Sequence, residues 1–255
     1  MKLRLRYSRH GKIRFISHRD TARLMERAFR VEKLPVTYTE GFSPRPKLAF
    51  GLALTVAHES EAEYLDLDLV TPVELDGLAE RLTVALPDGL CVEAVVPLEP
   101  RSMSLQQAIV CCGWRIEVIG APIDDVTNAV AAVLAAPERA LERERKGKTT
   151  VVDVRPAVIS VEVHGETTNG VQLYAVLANG ELTLRPSELV RLLDAELAMT
   201  GLACSLREGR VCRTNQWTNA DGERHEPIVL NPTGAALAQL PEPPEASRPR
   251  EIRAS

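Results

Sequence analysis

The sequence predicts an α+β protein of two tandem ferredoxin-like halves, each with the order βαββαβ, antiparallel-rich sheets and helices on one face. Period-two apolar segments and amphipathic helical segments alternate in this order over residues 1–97. The same order recurs over residues 113–215. A short match also recurs, since PVEL at residues 72–75 reappears as PSEL at residues 186–189, an offset of 114. These three observations indicate a duplication.

The first half opens with three local signals. KLRLRY at residues 2–7 alternates basic and apolar residues with period two, which predicts a half-buried strand. KIRF at residues 12–15 alternates in the same way and predicts a second, shorter strand. Ser17 followed by Asp20 resembles a capping box, so a helix is predicted from this point to about Lys33.

The rest of the first half follows from the same patterns. Further strands are predicted at residues 36–39, 48–54, 63–69 and 90–96. Pro72 suits the first turn of a helix, and the apolar positions after it predict a helix to about Leu86.

A linker with a short helix is predicted at residues 98–112, before the second half. The elements predicted there are a strand at 114–119, a helix at 124–136, a charged hairpin through 145–148, strands at about 157–163 and 171–177, a helix from Pro186 and a strand near 202–212. Residues 216–255 become rich in proline without periodicity, so we expect a mobile tail there.

Composition excludes several classes of protein. Hydrophobic residues make up 45% and charged residues 26% of the 255 residues, which is typical of a soluble globular protein. No apolar run approaches the roughly 18 residues of a membrane span, and the N-terminal residues lack the apolar stretch of a secretory signal. The five cysteines include no C-x-x-C pair, so we expect a cytoplasmic protein without a disulfide framework.

The net charge of −4 conceals a strong asymmetry. Residues 1–50 contain 13 Lys and Arg against 4 Asp and Glu, a balance of +9, whereas the remainder of the chain carries −13. Six of the ten aromatic residues also lie within these first fifty. The N-terminal region could therefore present a positive surface to a polyanion.

Two segments could form that surface. On a helical wheel, four arginines of the first predicted helix share one side, opposite its apolar residues: Arg19, Arg23, Arg27 and Arg30. The loop GFSPRPK at residues 41–47 places an aromatic ring, Phe42, beside the cations Arg45 and Lys47, and two prolines stiffen it. Aromatic rings beside cations are typical of proteins that bind single-stranded nucleic acid.

Two less specific interpretations of these cations remain open. In a ferredoxin-like sheet the first and third strands are adjacent, so carboxylates at positions 63, 66 and 68 could neutralise Lys2, Arg4 and Arg6. An arginine stripe on a helix is also compatible with a plain solvated surface. The aromatic signature of the RRM is absent, because KLAFGLAL at residues 47–54 has small residues where stacking rings are needed.

Motifs for catalysis and cofactors are missing from the sequence. There is no P-loop, no G-x-G-x-x-G after a strand, no zinc-ligand spacing and no nucleophile elbow. His18 lies among arginines and could act as a general base on RNA, although ordering of the helix N-terminus is the simpler interpretation. We therefore expect no cofactor and no metal, and the residues favour a binding protein over an enzyme without deciding the question.

Several blocks together resemble a known family. RYSRHGKIRFISHRD, LPVTYTEGFSPRPKLAFGLAL and ESEAEYLDLDL are similar to the radical-SAM-linked domain family of uncharacterised bacterial proteins, and the resemblance covers most of residues 1–215. In that family the domain occurs alone or fused to the C-terminus of a cobalamin-binding radical SAM protein, often near genes for ribosomal proteins and ribonucleases. The chain departs from the family pattern at Arg19, where an apolar residue is expected, and at Arg45, where histidine is expected.

The resemblance implies a radical SAM partner and an RNA-related role. The positions that match the family blocks are Ser17, His18, Asp20, Gly41, Phe42, Pro44, Pro46 and Lys47. The radical chemistry would belong to the partner, because this chain lacks the CxxxCxxC motif that binds an iron–sulfur cluster.

The sequence thus predicts a non-catalytic RNA-binding adaptor, with tRNA or rRNA as possible ligands and no membrane association. The alternatives are a scaffold that docks on an acidic radical SAM partner without RNA, and an RNA endonuclease or RNA-modifying enzyme. The predicted RNA-binding residues are Arg9, Lys12, Arg14, His18, Arg19, Arg23, Phe42, Arg45, Lys47, Lys146 and Lys148.

Overall fold

The computed structural model describes residues 1–99, 102–145, 147–201 and 205–230. The strands are β1 (Lys2–Arg9), β2 (Leu48–Phe50), β3 (Glu59–Asp68), β4 (Leu90–Pro97), β5 (Ile109–Ile119), β6 (Ala140–Arg145), β7 (Lys148–Asp153), β8 (Val158–Glu166), β9 (Val171–Ala178), β10 (Arg207–Ala220) and β11 (Glu223–His225). The helices are α1 (His18–Val31), α2 (Leu78–Ala85), α3 (Leu105–Ala108), α4 (Ile123–Ala135) and α5 (Pro186–Met199), with 3-10 turns at Gly11–Phe15 and Arg155–Ala157.

Nine of these strands form one continuous sheet. Its order is β4-β1-β3-β10-β5-β9-β8, with β2 paired to β3 and β11 paired to β10, while β6 and β7 form a separate hairpin. Every pairing is antiparallel except that between β3 and β10, where Cys212 pairs with Glu59 and Arg213 with Ser60. The predicted α+β class with a largely antiparallel sheet is confirmed, but the sheet is shared between the two parts of the chain.

Two hydrophobic cores lie against this sheet. In the first, Leu3, Leu5 and Leu67 of the sheet cluster with Met25 of α1 and Leu82 of α2. The second core belongs mainly to β5, β8, β9, α4 and α5, and it extends into the first half through Ala62 and Tyr64. The opposite sides of β3 therefore contribute to different cores, which fixes the first half against the second.

The first helix matches its prediction closely. The Ser17 hydroxyl oxygen accepts a hydrogen bond from the Asp20 backbone N–H at 3.2 Å and donates to the Asp20 carboxylate at 2.7 Å. This N-cap satisfies a backbone donor at the start of α1. Its buried side consists of Thr21, Met25, Ala28 and Phe29.

Two local predictions are wrong. Residues 12–15 form a 3-10 turn and not a strand, because Gly11 has a positive φ of 66° and the Arg9 guanidinium draws three following carbonyl groups together. The second helix begins at Leu78 and not at Pro72, since Gly77 adopts a left-handed conformation with φ 62° that no helix could include.

The structure also shifts the predicted boundaries. The segment 36–39 contributes only the isolated bridges of Val36 with Leu69 and of Tyr38 with Pro46. β5 begins at Ile109, inside the predicted linker, and β10 continues to Ala220, past the predicted start of the tail at residue 216. Ile228 is buried with 3% of its surface exposed, while residues 231–255 of that tail lie outside the described residues.

In the described part of the chain, no helix is both long and apolar enough to cross a bilayer.

Candidate functional site

Five of the Lys and Arg side chains in residues 1–50 form ion pairs within the molecule. They are Lys2, Arg4, Arg6, Arg14 and Arg23. Arg4 makes a two-pronged contact with Asp66 at 2.7 and 3.0 Å, and both side chains are buried. Lys2 lies 3.9 Å from Asp68, whereas Arg6 pairs with Glu93 and Glu226 and not with the glutamate at position 63. Carboxylates of the same molecule therefore neutralise Lys2, Arg4 and Arg6, and Arg4 and Arg6 are also buried.

Arg9 and Arg14 are also unsuited to the phosphate contacts predicted for them. Arg9 is only 3% exposed, and its guanidinium donates to the backbone carbonyls of Ile13, Arg14 and Ile16. Arg14 pairs with the Glu59 carboxylate at 3.2 Å and lies over the Phe15 ring. Both arginines order the turn that leads into α1, and Arg9 is too deeply buried to meet a phosphate in this arrangement.

The arginine stripe of α1 remains open to solvent. Arg19, Arg23, Arg27 and Arg30 are exposed on the side opposite the buried residues of the helix. The only carboxylate paired with any of them among the described residues is that of Asp20, 3.4 Å from Arg23. Because an α-helix rises about 1.5 Å per residue, side chains four positions apart are separated by about 6 Å along the axis. The stripe thus offers regularly spaced cations.

Backbone hydrogen bonds between its two arms close the loop at residues 37–47, and the tip of the loop is exposed. The Thr39 N–H donates to the Arg45 carbonyl and the Lys47 N–H to the Thr37 carbonyl, both at 2.8 Å. The Arg45 N–H also donates to the Thr39 hydroxyl at 3.0 Å. Phe42 at the tip is fully exposed, so its ring is open to solvent. Arg45 and Lys47 are exposed and have no carboxylate partner in the described chain.

The loop and the stripe are connected through α1. The Leu34 N–H donates to the Phe29 carbonyl at the C-terminal end of the helix, and the loop follows directly. After the loop, β2 brings Phe50 edge-on to the His18 ring at the N-terminal end, with 4.7 Å between ring centroids. The exposed His18 makes no hydrogen bond among the described residues. The charge of His18 acts on the buried Glu63 carboxyl, where it opposes the rise in pKa that burial causes.

The other predicted basic residues belong neither to α1 nor to the 37–47 loop. Lys12 is exposed on the 3-10 turn and unpaired in the described chain. Lys148 begins β7 in the separate hairpin, which is fastened to α5 by the ion pair of Arg143 with Glu188 at 2.7 Å. No hydrogen bond or ion pair between described residues joins this hairpin to residues 1–50. Lys146 falls outside the described residues.

A cluster that the sequence did not predict lies where the two halves meet. Glu59 accepts hydrogen bonds from the Gly11 N–H, from Arg14 and, at 2.7 and 3.0 Å, from Arg210. Burial opposes ionisation of this carboxyl, but the bonds from Arg210, Gly11 and Arg14 outweigh it and lower its pKa to about 2. The carboxylate is therefore charged at pH values well above 2.

A second buried carboxyl, Glu63, lies deeper in the same joint. The Arg213 guanidinium lies 3.3 Å from the Glu63 carboxylate. The side chains of Arg213 and Glu63 are 2% and 6% exposed, respectively. Burial raises the pKa of Glu63 although the charge of Arg213 opposes this shift. Only the strand pairing of β3 with β10 brings these residues together, so no local sequence signal could have revealed the pair.

The described residues contain no group of three or more His, Cys, Asp and Glu side chains that could hold a metal ion. Burial raises the pKa of the Cys112 thiol to about 12 and that of the Cys212 thiol to about 11. The exposed groups of the α1 stripe and of the loop are guanidinium and ammonium groups beside an aromatic ring.

Comparisons with known proteins identify a family and distantly similar solved structures. A family model described as "Uncharacterized protein conserved in bacteria (DUF2344)" matches residues 2–186. No curated protein sequence matches the chain. Among solved structures, a chain of a Cbf5-Nop10-Gar1 complex is similar with a TM-score of 0.45 and 9% identity. The similarity covers 77% of this chain and 45% of that one, so this chain spans less than half the length of its neighbour.

Proposed function

We propose that this chain, which belongs to the DUF2344 family of proteins conserved in bacteria, is a non-catalytic RNA-binding adaptor. One observation carries the proposal: the cations of α1 and of the 37–47 loop are exposed and almost free of carboxylate partners, whereas those of β1 are neutralised. We name this surface the α1–loop surface, and its members are Arg19, Arg23, Arg27, Arg30, Phe42, Arg45 and Lys47.

The chemistry of the α1–loop surface favours a single-stranded or looped RNA. Regularly spaced guanidinium groups can follow a phosphate backbone, and each contact releases counterions. The isolated ring of Phe42 can stack on an unpaired base, an interaction worth about 1–3 kcal/mol. Because two prolines and three hydrogen bonds fix the loop, little conformational entropy is lost when it binds. A paired helix would hide the bases from this ring.

We further infer that each half is a ferredoxin-like unit. The first half has the strand order β4-β1-β3-β2, and the second half, without its separate β6–β7 hairpin, has the order β10-β5-β9-β8. When the four strands of each half are numbered one to four along the chain, both orders read 4-1-3-2, and this agreement supports the inference. The resemblance to radical-SAM-linked domains suggests a cobalamin-binding radical SAM protein as the partner to which RNA would be presented. The four free cysteines among the described residues are compatible with the cytoplasm as the site of action.

The salt dependence of RNA binding tests the proposal. We expect purified protein to retain total cellular RNA on filters, with log Kobs falling as log salt rises at a slope of about −0.7 per phosphate contact. The triple variant Arg19→Gln/Arg23→Gln/Arg27→Gln should reduce the magnitude of that slope by about 2, since three contacts are removed. Arg207→Gln is the matched control, because Arg207 is an exposed arginine of the second half.

Phe42→Ala separates stacking from charge. It should weaken binding of a single-stranded oligonucleotide by about 1–3 kcal/mol while leaving the salt slope unchanged. Absence of RNA retention at low salt would end the proposal. If the protein instead captures an acidic radical SAM protein from nuclease-treated lysate and the triple variant does not, the surface is a protein-docking site.

A further inference from the structure

A cavity of about 190 Å³ lies where the segment after β2 meets the second half of the molecule. Its walls come from Leu52 and Thr55 of the first half, Trp114 of β5, Asn179 after β9, Thr183 before α5 and Arg213 of β10. Thr55 is exposed and Trp114 is buried with 7% exposure, so the cavity leads from the surface to the indole ring.

A buried arginine, Arg213, lines this cavity and binds the segment that forms one of its walls. Arg213 is 2% exposed and donates to the backbone carbonyls of Leu52 at 3.1 Å and Ala53 at 3.0 Å. Its guanidinium carbon lies 5.0 Å from the centroid of the Trp114 ring. The Arg213 Nε is buried without a hydrogen-bond partner in the described chain. The same guanidinium pairs with the Glu63 carboxylate at 3.3 Å through another nitrogen. Buried N–H groups are normally paired, so the Nε is a donor of a cavity-lining residue that an acceptor atom of a ligand could satisfy.

The size and lining of the cavity suit a single flat ring system. Sites for drug-sized ligands usually enclose about 300–1,000 Å³, so a cavity of 190 Å³ fits a smaller molecule. Its apolar wall includes Leu52, Leu177 and Leu184, while Asn179 and Thr183 add amide and hydroxyl groups. A cavity that combines an aromatic ring and apolar side chains with several hydrogen-bonding groups is an environment that can receive an unstacked nucleobase.

The segment that lines the cavity follows the basic loop closely in the chain. Lys47 ends the basic loop, Phe50 lies against His18 of α1, and Leu52 already lines the cavity. We propose that this cavity receives one nucleobase of the RNA strand whose phosphates are bound at the α1–loop surface. The inference rests on the proposed function, since it assigns the place of one base of that same strand.

Trp114 provides a direct readout. Trp217→Phe leaves Trp114 as the single tryptophan of the chain. In this background we expect a single-stranded oligonucleotide to change the Trp114 emission, and the four nucleoside 5′-monophosphates to do so at higher concentration. The same oligonucleotide made abasic throughout should leave the emission unchanged while still showing salt-dependent binding.

A mutation at the mouth of the cavity tests the position of the base. Thr55→Phe should close the entrance and weaken oligonucleotide binding about 5- to 140-fold, the range expected for one stacked base. Val56→Phe is the matched control, since Val56 is also exposed and is not part of the cavity wall. Equal thermal midpoints of the two variants would show that both fold.

The outcomes separate the two proposals. If binding depends on the arginine stripe but neither the Trp114 emission nor Thr55→Phe has an effect, the cavity inference is overturned and the proposed function stands. If no RNA binds the wild-type protein, both are overturned. If Thr55→Phe and Val56→Phe weaken binding equally, the base does not enter this cavity.

Discussion

Replacement of Glu59 by glutamine should destabilise the protein in a manner that depends on pH. The carboxylate is 3% exposed and connects three segments that are distant in sequence: the 3-10 turn through Gly11 and Arg14, β3 itself, and β10 through Arg210. Glutamine has the same shape but removes the negative charge that these donors share. The variant thus tests the charge without creating a large cavity.

The size of the effect follows from the pKa. Lowering the pKa of Glu59 from 4.5 to about 2 corresponds to about 3 kcal/mol of folding free energy. Since the pKa is depressed in the folded state, this stabilisation is complete above pH about 4.5 and is lost as the pH falls towards 2. Arg210 and Arg14 have 65% and 30% exposed side chains and can be hydrated after the change, so about 3 kcal/mol is an upper value.

Urea denaturation at pH 7 and at pH 3 measures this dependence. We expect Glu59→Gln to lose about 2–3 kcal/mol relative to wild type at pH 7 and much less at pH 3. Glu61→Gln is the matched control: its carboxylate is 41% exposed and pairs with the exposed Arg115, so its loss should be below about 1 kcal/mol. A deficit of Glu59→Gln that is equal at both pH values would refute the assigned charge, and a deficit no larger than that of Glu61→Gln would refute the magnitude.

Three further changes test local features of the fold. Asp66→Ala leaves Arg4 buried without its carboxylate, and denaturation should show a loss of about 3–5 kcal/mol, whereas the double variant Arg4→Met/Asp66→Leu should lose less. Ser17→Ala removes the N-cap of α1 and should lower the free energy of unfolding by about 1 kcal/mol, while Ser17→Gly should lower it by only a few tenths. Gly170→Ala places a Cβ against the backbone carbonyl of Val118 and should cost about 1–3 kcal/mol, visible as a lower thermal midpoint; an unchanged midpoint would contradict this contact.

The sequence predicts the elements whose signals are local. Ser17 and Asp20 predict the start of α1 because an N-cap involves residues only three positions apart. KLRLRY predicts β1 because its alternation of basic and apolar residues is visible within six residues. KIRF carries the same alternation but forms a 3-10 turn, since Arg9 and Glu59 hold that turn from outside it. The period-two pattern alone could not reveal these contacts.

The candidate site is predictable only where exposure follows from one element. The arginine stripe of α1 is exposed because its helix buries the opposite side, and the sequence predicts this directly. Arg9 carries the same charge, but its guanidinium donates hydrogen bonds to three carbonyl groups of the 3-10 turn, where a strand is predicted from the sequence. Arg213 and Trp114 carry no signal at all, because only the sheet order brings them beside Leu52.

The joint between the halves engages the three glutamates at the start of β3. Each is paired with an arginine of the second half: Glu59 with Arg210, Glu61 with Arg115, and Glu63 with Arg213. Glu59 also pairs with Arg14 of the first half. None of these three carboxylates pairs with the arginine stripe of α1, whose single carboxylate partner among the described residues is Asp20. A fragment ending before β5 would lack the three arginines of the second half, so the first half depends on the second for these contacts.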